Sequence, residues 1–107
     1  IQWHLDLAET FERFIPFLGW LRDNHVPWRV TELDVIIPSM DAAHLAAQAE
    51  IYRRAVELVR EYSGEAISMW GVGDRDSWQA AYYPLPFDGN YQPKPAWEVL
   101  SADRLPA

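Results

Sequence analysis

Cysteine is absent from this 107-residue chain. That excludes a disulfide frame and any thiolate metal site. Positive charge is scarce: nine Lys and Arg stand against sixteen Asp and Glu, for a net charge of −7. Nucleic-acid phosphates need a basic footprint, so nucleic acid is excluded as a partner. Long apolar runs are also missing. None approaches the roughly 18 residues of a membrane span, which excludes a membrane partner, and Ile1 opens a strand-like run rather than the basic start of a signal peptide. Repeats, linkers and low-complexity stretches are not found. Length is the last shortage, since a (β/α)8 barrel needs about 250 residues. The chain is therefore one small domain or a piece of a larger one. What it has in abundance is aromatic surface, with six Trp and five Tyr and a hydrophobic share of 50%. Such a composition is globular rather than disordered, and suits a core, an interface or a surface that stacks on flat ligands.

The order reads strand, helix, strand, helix, strand, loop, short helix. Residues 1–7 form a short strand. Asp6 is placed to cap the first helix, with Glu9 three residues on as in a capping box. Phe11, Phe14, Leu18 and Leu21 recur at helical spacing. Pro16 either kinks that helix or starts its regular part, and Asp23, Asn24, His25 and Pro27 end it. Residues 28–37 are the clearest strand, dense in β-branched and aromatic residues. Residues 41–62 are the clearest helix, with Leu45, Tyr52, Val56 and Val59 as its apolar stripe, Ala49 filling the gap, and Gly64 as the residue that ends it. Residues 65–72 give a third strand. Residues 78–95 are irregular, and a last helix begins at Ala96. Alternating strands and helices imply a parallel sheet with crossover helices. Three strands leave both sheet edges wanting cover, so the simplest fold is part of a larger α/β architecture.

Period-two alternation places Gln2 with His4, Glu32 with Asp34, and Ser68 with Trp70 on shared faces. Two carboxylates in an otherwise apolar strand are costly to bury without partners. An imidazole can bridge two carboxylates through its two nitrogens, which makes His4 a candidate partner. Each residue alone has a structural explanation. Together they sit near the C-terminal ends of three strands, where parallel α/β folds keep their active sites. His25 and His44 have no metal-ligand spacing between them and read as surface residues. Trp20 and Trp28 read as packing on neighbouring elements.

Four ordered motifs then carry a resemblance. Val30-Thr31-Glu32-Leu33-Asp34-Val35 resembles the nucleophile strand of glycoside hydrolase family 10, the endo-β-1,4-xylanases. Gln2-Trp3-His4-Leu5 is similar to the family's Gln-x-His-Leu strand. The segment from Trp70 through Gly71, Asp74 and Ser77 to Trp78 is similar to its Trp-Gly-x-x-Asp-x-x-Ser-Trp stretch. Phe87-Asp88, Tyr91 and Pro93-Lys94-Pro95-Ala96-Trp97 resemble its closing segment, and Gln48-Ala49-x-x-Tyr52 resembles a recurrent helix patch. The likeness runs from Gln2 to about Leu100. It implies a (β/α)8 TIM barrel, of which 1–107 would be the last three βα units, strands six to eight of a single catalytic domain.

The resemblance implies roles residue by residue. Glu32 would be the nucleophile, with His4 and Asp34 as the hydrogen-bonded chain that orients it. Trp70 and Trp78 would wall the sugar subsites, since the C–H faces of sugar rings pack well on aromatic rings. Gln2 would support the surroundings of His4. Asp74 and Arg75 would either shape their loop or touch substrate. The implied reaction is retaining hydrolysis of internal β-1,4 bonds in xylan by double displacement, which needs carboxylates and water and no cofactor or metal. Xylan or xylo-oligosaccharides would be the partners, and a secreted enzyme is the expectation for an extracellular polymer.

Departures accompany the likeness. A retaining glycosidase needs two carboxylates about 5 to 5.5 Å apart, and the family's acid/base glutamate lies in an Asn-Glu pair on strand four. No Asn-Glu pair occurs here. Glu9, Glu12, Glu50, Glu57, Glu61, Glu65 and Glu98 read as solvated. The chain would thus need the N-terminal part of the barrel, as another chain or a removed segment, and would be inactive alone. Gly73 and Asp76 stand where family members often carry larger residues. Three other functions fit the same sequence: a related β-glycosidase such as a cellulase, a self-associating module, and a xylan-binding module without catalysis.

Overall fold

Three parallel strands form one sheet in the order β1–β2–β3, with β2 in the centre. The computed structural model describes residues 1–102, so the last five residues of the single domain expected over 1–107 lie outside the described ones. The elements are β1 (Gln2–Leu5), α1 (Ile15–Asp23), β2 (Val30–Val35), α2 (Ala42–Glu61), β3 (Ile67–Met69) and α3 (Pro95–Ala102). Short 3-10 turns lie at Glu12–Phe14, Asp74–Asp76 and Ala80–Tyr82. All three strands are shorter than the sequence pattern predicts, because pairing stops where the flanking residues turn into loops. Among the described residues no helix is long and apolar enough to cross a membrane.

The strands separate two chemistries by alternation. Trp3 and Leu5 of β1 and Leu33 and Val35 of β2 are buried against the helices, where Leu18, Leu21, Tyr52, Ala55, Leu58 and Val59 meet them. Gln2 and His4 stand on the opposite face. The register pairs Gln2 with Glu32 and His4 with Asp34, which puts the polar positions of two strands side by side.

The first helix begins later than its sequence suggests. Asp6 does not cap it: its Oδ1 accepts the Ala8 N–H at 2.9 Å, and Glu9 accepts the Phe11 N–H at 2.8 Å, so both close local turns instead of a capping box. Phe11 then adopts φ +65°, and the regular helix starts at Ile15 with Pro16 in its first turn, where a missing N–H costs nothing. Trp20, expected to pack on a neighbour, is 58% exposed.

The second helix is rotated relative to its predicted stripe. Gln48, Ala49, Tyr52, Ala55, Leu58 and Val59 are its buried face, while Leu45 and Val56 lie only half inside. Ser63 at φ +60° takes the left-handed position expected of Gly64. Gly64 is required for another reason: a Cβ there would lie 2.8 Å from the Trp28 ring and 2.9 Å from Val59. Trp28 is itself buried and donates its indole N–H to the Tyr62 carbonyl at 2.9 Å.

After β3 the chain is irregular but firmly tied. Val35 N–H donates to the Pro84 carbonyl and Ile37 N–H to that of Tyr82, so residues 82–84 run beside the end of β2. Gln48 donates to the carbonyls of Val35 and Tyr83, and Tyr52 donates to that of Pro84 at 2.5 Å. Asp74 and Lys94 form a buried ion pair at 3.1 Å. Asp74 also accepts the Leu85 N–H at 2.7 Å, and Lys94 donates to the Tyr83 carbonyl at 2.7 Å. Burial pushes the Asp74 carboxyl up and the Lys94 ammonium down, each held back by the attraction of the other.

Removing one partner of a buried pair strands the other charge, at a cost of about 3–5 kcal/mol. Asp74→Asn and Lys94→Met should each unfold at lower urea, and the double variant should lose less than the sum of the two; additive losses would contradict the pairing. At the start of α2, the Asp41 carboxylate accepts the His44 N–H at 2.8 Å and the Ser39 hydroxyl at 2.9 Å, which lowers its pKa. A lowered carboxyl contributes stability that is present above its unfolded pKa and is lost as pH falls through the folded one. The thermal midpoints of the wild type and Asp41→Ala should therefore differ near neutral pH and converge below about pH 4.

Candidate functional site

The register that aligns β1 with β2 places His4 between two carboxylates. His4 Nε2 lies 3.1 Å from Glu32 Oε1, and His4 Nδ1 lies 2.9 Å from Asp34 Oδ1. The three groups differ in access. Glu32 and His4 are partly open to solvent, with side chains 17% and 27% exposed, whereas Asp34 is 1% exposed. A buried carboxylate must be compensated by donors. Its second oxygen, Oδ2, accepts the indole N–H of Trp78 at 2.7 Å. The arrangement is thus a continuous chain, Glu32–His4–Asp34–Trp78, built from β1, β2 and the segment after β3.

Trp78 also meets the His4 ring edge to face, with centroids 5.1 Å apart and planes at 74°. Trp70 follows β3, its N–H donating to the Leu33 carbonyl at 3.0 Å. Both indoles are large and exposed, Trp70 by 48% and Trp78 by 61%. They line one open cleft of about 500 Å³ together with Gly71, Asp76 and Ser77. Gln2 stands exposed on the same face of β1 as His4. The cleft adjoins the Glu32–His4–Asp34 chain through Trp78, which lines the one and bonds to the other. A partly exposed carboxylate with its charge met by an oriented imidazole can act as a nucleophile or as a proton acceptor. Among the described residues no cluster of His, Cys, Asp or Glu is arranged to hold a metal ion.

Of the two roles open for Asp74 and Arg75, the geometry supports loop shaping. Asp74 is occupied by Leu85 and Lys94. Arg75 donates to the Gly89 carbonyl at 2.5 Å and lies over the Tyr91 ring at 5.4 Å. Gly73 and Asp76, the two departures from the family pattern, meet the same partner. A Cβ on Gly73 would sit 2.5 Å from the Tyr91 ring, and Asp76 accepts the Tyr91 hydroxyl at 2.6 Å.

The pattern of strand faces finds Glu32, His4 and Asp34, but not the anchors around them. Lys94 carries a signal of its own, a single cation between two prolines. Gln48 carries another, a polar residue within an apolar helical stripe. The Trp78–Asp34 bond spans 44 residues and has no local signature.

Comparison with known proteins agrees with this architecture. The profile of glycosyl hydrolase family 10 matches residues 1–102. A bifunctional endo-1,4-beta-xylanase of Ruminococcus flavefaciens is 34% identical over 76 residues, covering 69% of this chain and 7% of that protein. A mutant of the intracellular xylanase of Thermoanaerobacterium saccharolyticum, solved in complex with xylotetraose, superposes with a TM-score of 0.79 at 28% identity, covering 91% of this chain and 31% of its own. A glycosylated endo-beta-1,4-xylanase of Gloeophyllum trabeum does so with a TM-score of 0.81 at 28% identity, covering 92% and 33%. This chain therefore spans about a third of the solved xylanases it matches, and its three-stranded parallel sheet is part of a (β/α)8 barrel. The chain belongs to glycosyl hydrolase family 10, of whose domain it carries the C-terminal part.

Proposed function

We propose that residues 1–107 supply strands six to eight and the nucleophile of a retaining endo-1,4-β-xylanase. The observation that carries this reading is the bridging of Glu32 and Asp34 by His4, tied through Trp78 to the Trp70–Trp78 cleft. The xylotetraose bound by the similar Thermoanaerobacterium enzyme supports a xylan-type substrate.

In this reading Trp70 and Trp78 pack against the flat faces of xylose units and hold the scissile bond over Glu32. The Glu32 carboxylate attacks the anomeric carbon, and the bond to the leaving oxygen breaks as an acid from the other part of the barrel protonates it. A glycosyl ester on Glu32 results. Water, deprotonated by that same acid/base group, then attacks the anomeric carbon and releases Glu32. In this reading two ionised carboxylates flank His4 and both its ring nitrogens carry protons: the Nε2–H donates to Glu32 and meets its charge, and the Nδ1–H donates to Asp34, which keeps the ring in place. Gln2 borders this group on β1.

The test is made in the complete catalytic domain. Glu32→Ala should lower xylan hydrolysis by at least about 10³-fold, the scale of losing a group that acts in the transition state. A 2-deoxy-2-fluoro xylobioside with a good leaving group should add its glycosyl mass to the peptide that contains Glu32. Label on a different carboxylate, or full activity in Glu32→Ala, would refute the assignment. Higher turnover on carboxymethyl cellulose than on xylan would favour the cellulase alternative. The 107-residue chain alone should bind xylo-oligosaccharides through Trp70 and Trp78 and release no reducing sugar.

A further inference from the structure

Trp78 presents a contradiction between its exposure and its bonding. Its side chain is 61% exposed and forms a wall of the cleft, yet its N–H reaches the most buried carboxylate of the site. A residue needed only as a flat platform has no use for that bond, since Phe or Tyr offers a face as well. The partner, in contrast, has great need of it. Asp34 is 1% exposed, and its two oxygens take one donor each: His4 at Oδ1 and Trp78 at Oδ2.

The torsion that orients a carboxylate is broad and roughly two-fold. One donor on Oδ1 leaves the group free to rock about its Cβ–Cγ bond. A second donor on Oδ2, from a separate element, fixes the plane. With that plane fixed, the acceptor direction at Oδ1 is fixed too, and the His4 Nδ1 hydrogen is held on it. The other ring nitrogen then has one geometry available toward Glu32. The edge-to-face contact of the indole with the His4 ring, at 5.1 Å, braces the same imidazole from the side.

We propose that Trp78 is a positioning residue for the catalytic carboxylate, acting through Asp34 and His4 in addition to walling the cleft. The proposal rests on Glu32 being the nucleophile, and extends that reading to a group that never touches it. The loop that bears Trp78 is suited to the task. It follows the 3-10 turn at Asp74–Asp76, whose first residue is locked by Lys94, Leu85 and the Phe87 carbonyl. The donor is therefore delivered from a rigid mount rather than from a free loop.

The experiment is nuclear magnetic resonance of the ¹⁵N-labelled complete catalytic domain. In the wild type, the Trp78 indole proton should be shifted downfield and exchange slowly, although the ring is exposed. An indole proton with the shift and exchange of a free tryptophan would overturn the proposal without recourse to any variant. Trp78→Phe keeps a ring in the wall and removes the donor. Its His4 Nδ1 proton should exchange with water about tenfold faster, the scale of one charge-assisted hydrogen bond. Trp70→Phe, a change of the same kind on the same cleft, should leave that rate unaltered. An unchanged His4 rate in Trp78→Phe would overturn the proposal as well. In the complete domain, Trp78→Phe should lower kcat about tenfold with KM altered less than about twofold, whereas a pure wall would show its loss in KM. If Glu32 proved not to be the nucleophile, the spectra of Trp78 and His4 would still report the clamp, so the two failures are distinguishable.

Discussion

The buried charge of Asp34 is the constraint on which the site depends. A carboxylate at the end of the central strand, closed off from water, is tolerable only when donors reach it from outside its own strand. One comes from β1 and one from beyond β3. The strand order β1–β2–β3 is thus more than a packing solution, since it brings both donors within reach of one residue. The same end of β2 is held by backbone ties to residues 82–84, and Gln48 and Tyr52 of α2 fasten that segment in turn. The polar face and the apolar face of the sheet are therefore secured by different chemistry. The helices bury Trp3, Leu5, Leu33 and Val35, while hydrogen bonds organise what stands opposite.

Much of this was legible in the sequence where local rules govern. Strand periodicity put Glu32 with Asp34 and Gln2 with His4, and four ordered motifs fixed the family. The length and polarity of residues 41–62 gave α2 almost to the residue. Asp6 and Glu9 have the spacing of a capping box, but their side chains bond to N–H groups only two residues away, and the helix waits for Pro16. Gly64 has the place of a left-handed terminator in the sequence, but its constraint in the structure is the Trp28 ring against it. The α2 stripe was displaced because Gln48, a polar residue, belongs to the buried face. What strand alternation could not give was the long-range polar ties made outside the paired strand faces: Trp78 to Asp34, Lys94 to Asp74, and Tyr52 to Pro84. Such bonds depend on three-dimensional proximity that no spacing encodes.

Both outer strands of the sheet adjoin apolar hollows. Beside β3 a hollow of about 480 Å³ is lined by Met69, Val72, Phe87, Trp97 and Leu100 among others. Beside β1 a smaller one is bordered by Trp3, Phe14, Phe17 and Leu18. A sheet that belongs to a barrel family has its missing neighbours at just these two places.

Tyr91 lies at the meeting point of the two positions that depart from the family pattern. Its ring fills the space that any side chain at position 73 would need, and its hydroxyl binds Asp76. None of the three can change in isolation without leaving a clash, a gap or an idle carboxylate. Gly73, Asp76 and Tyr91 are therefore physically coupled in this chain. A larger residue at position 73 is compatible with the family's tyrosine only if that ring is seated elsewhere, so the departure at 73 sets where the Tyr91 ring lies and, through its hydroxyl, which group on the loop it holds.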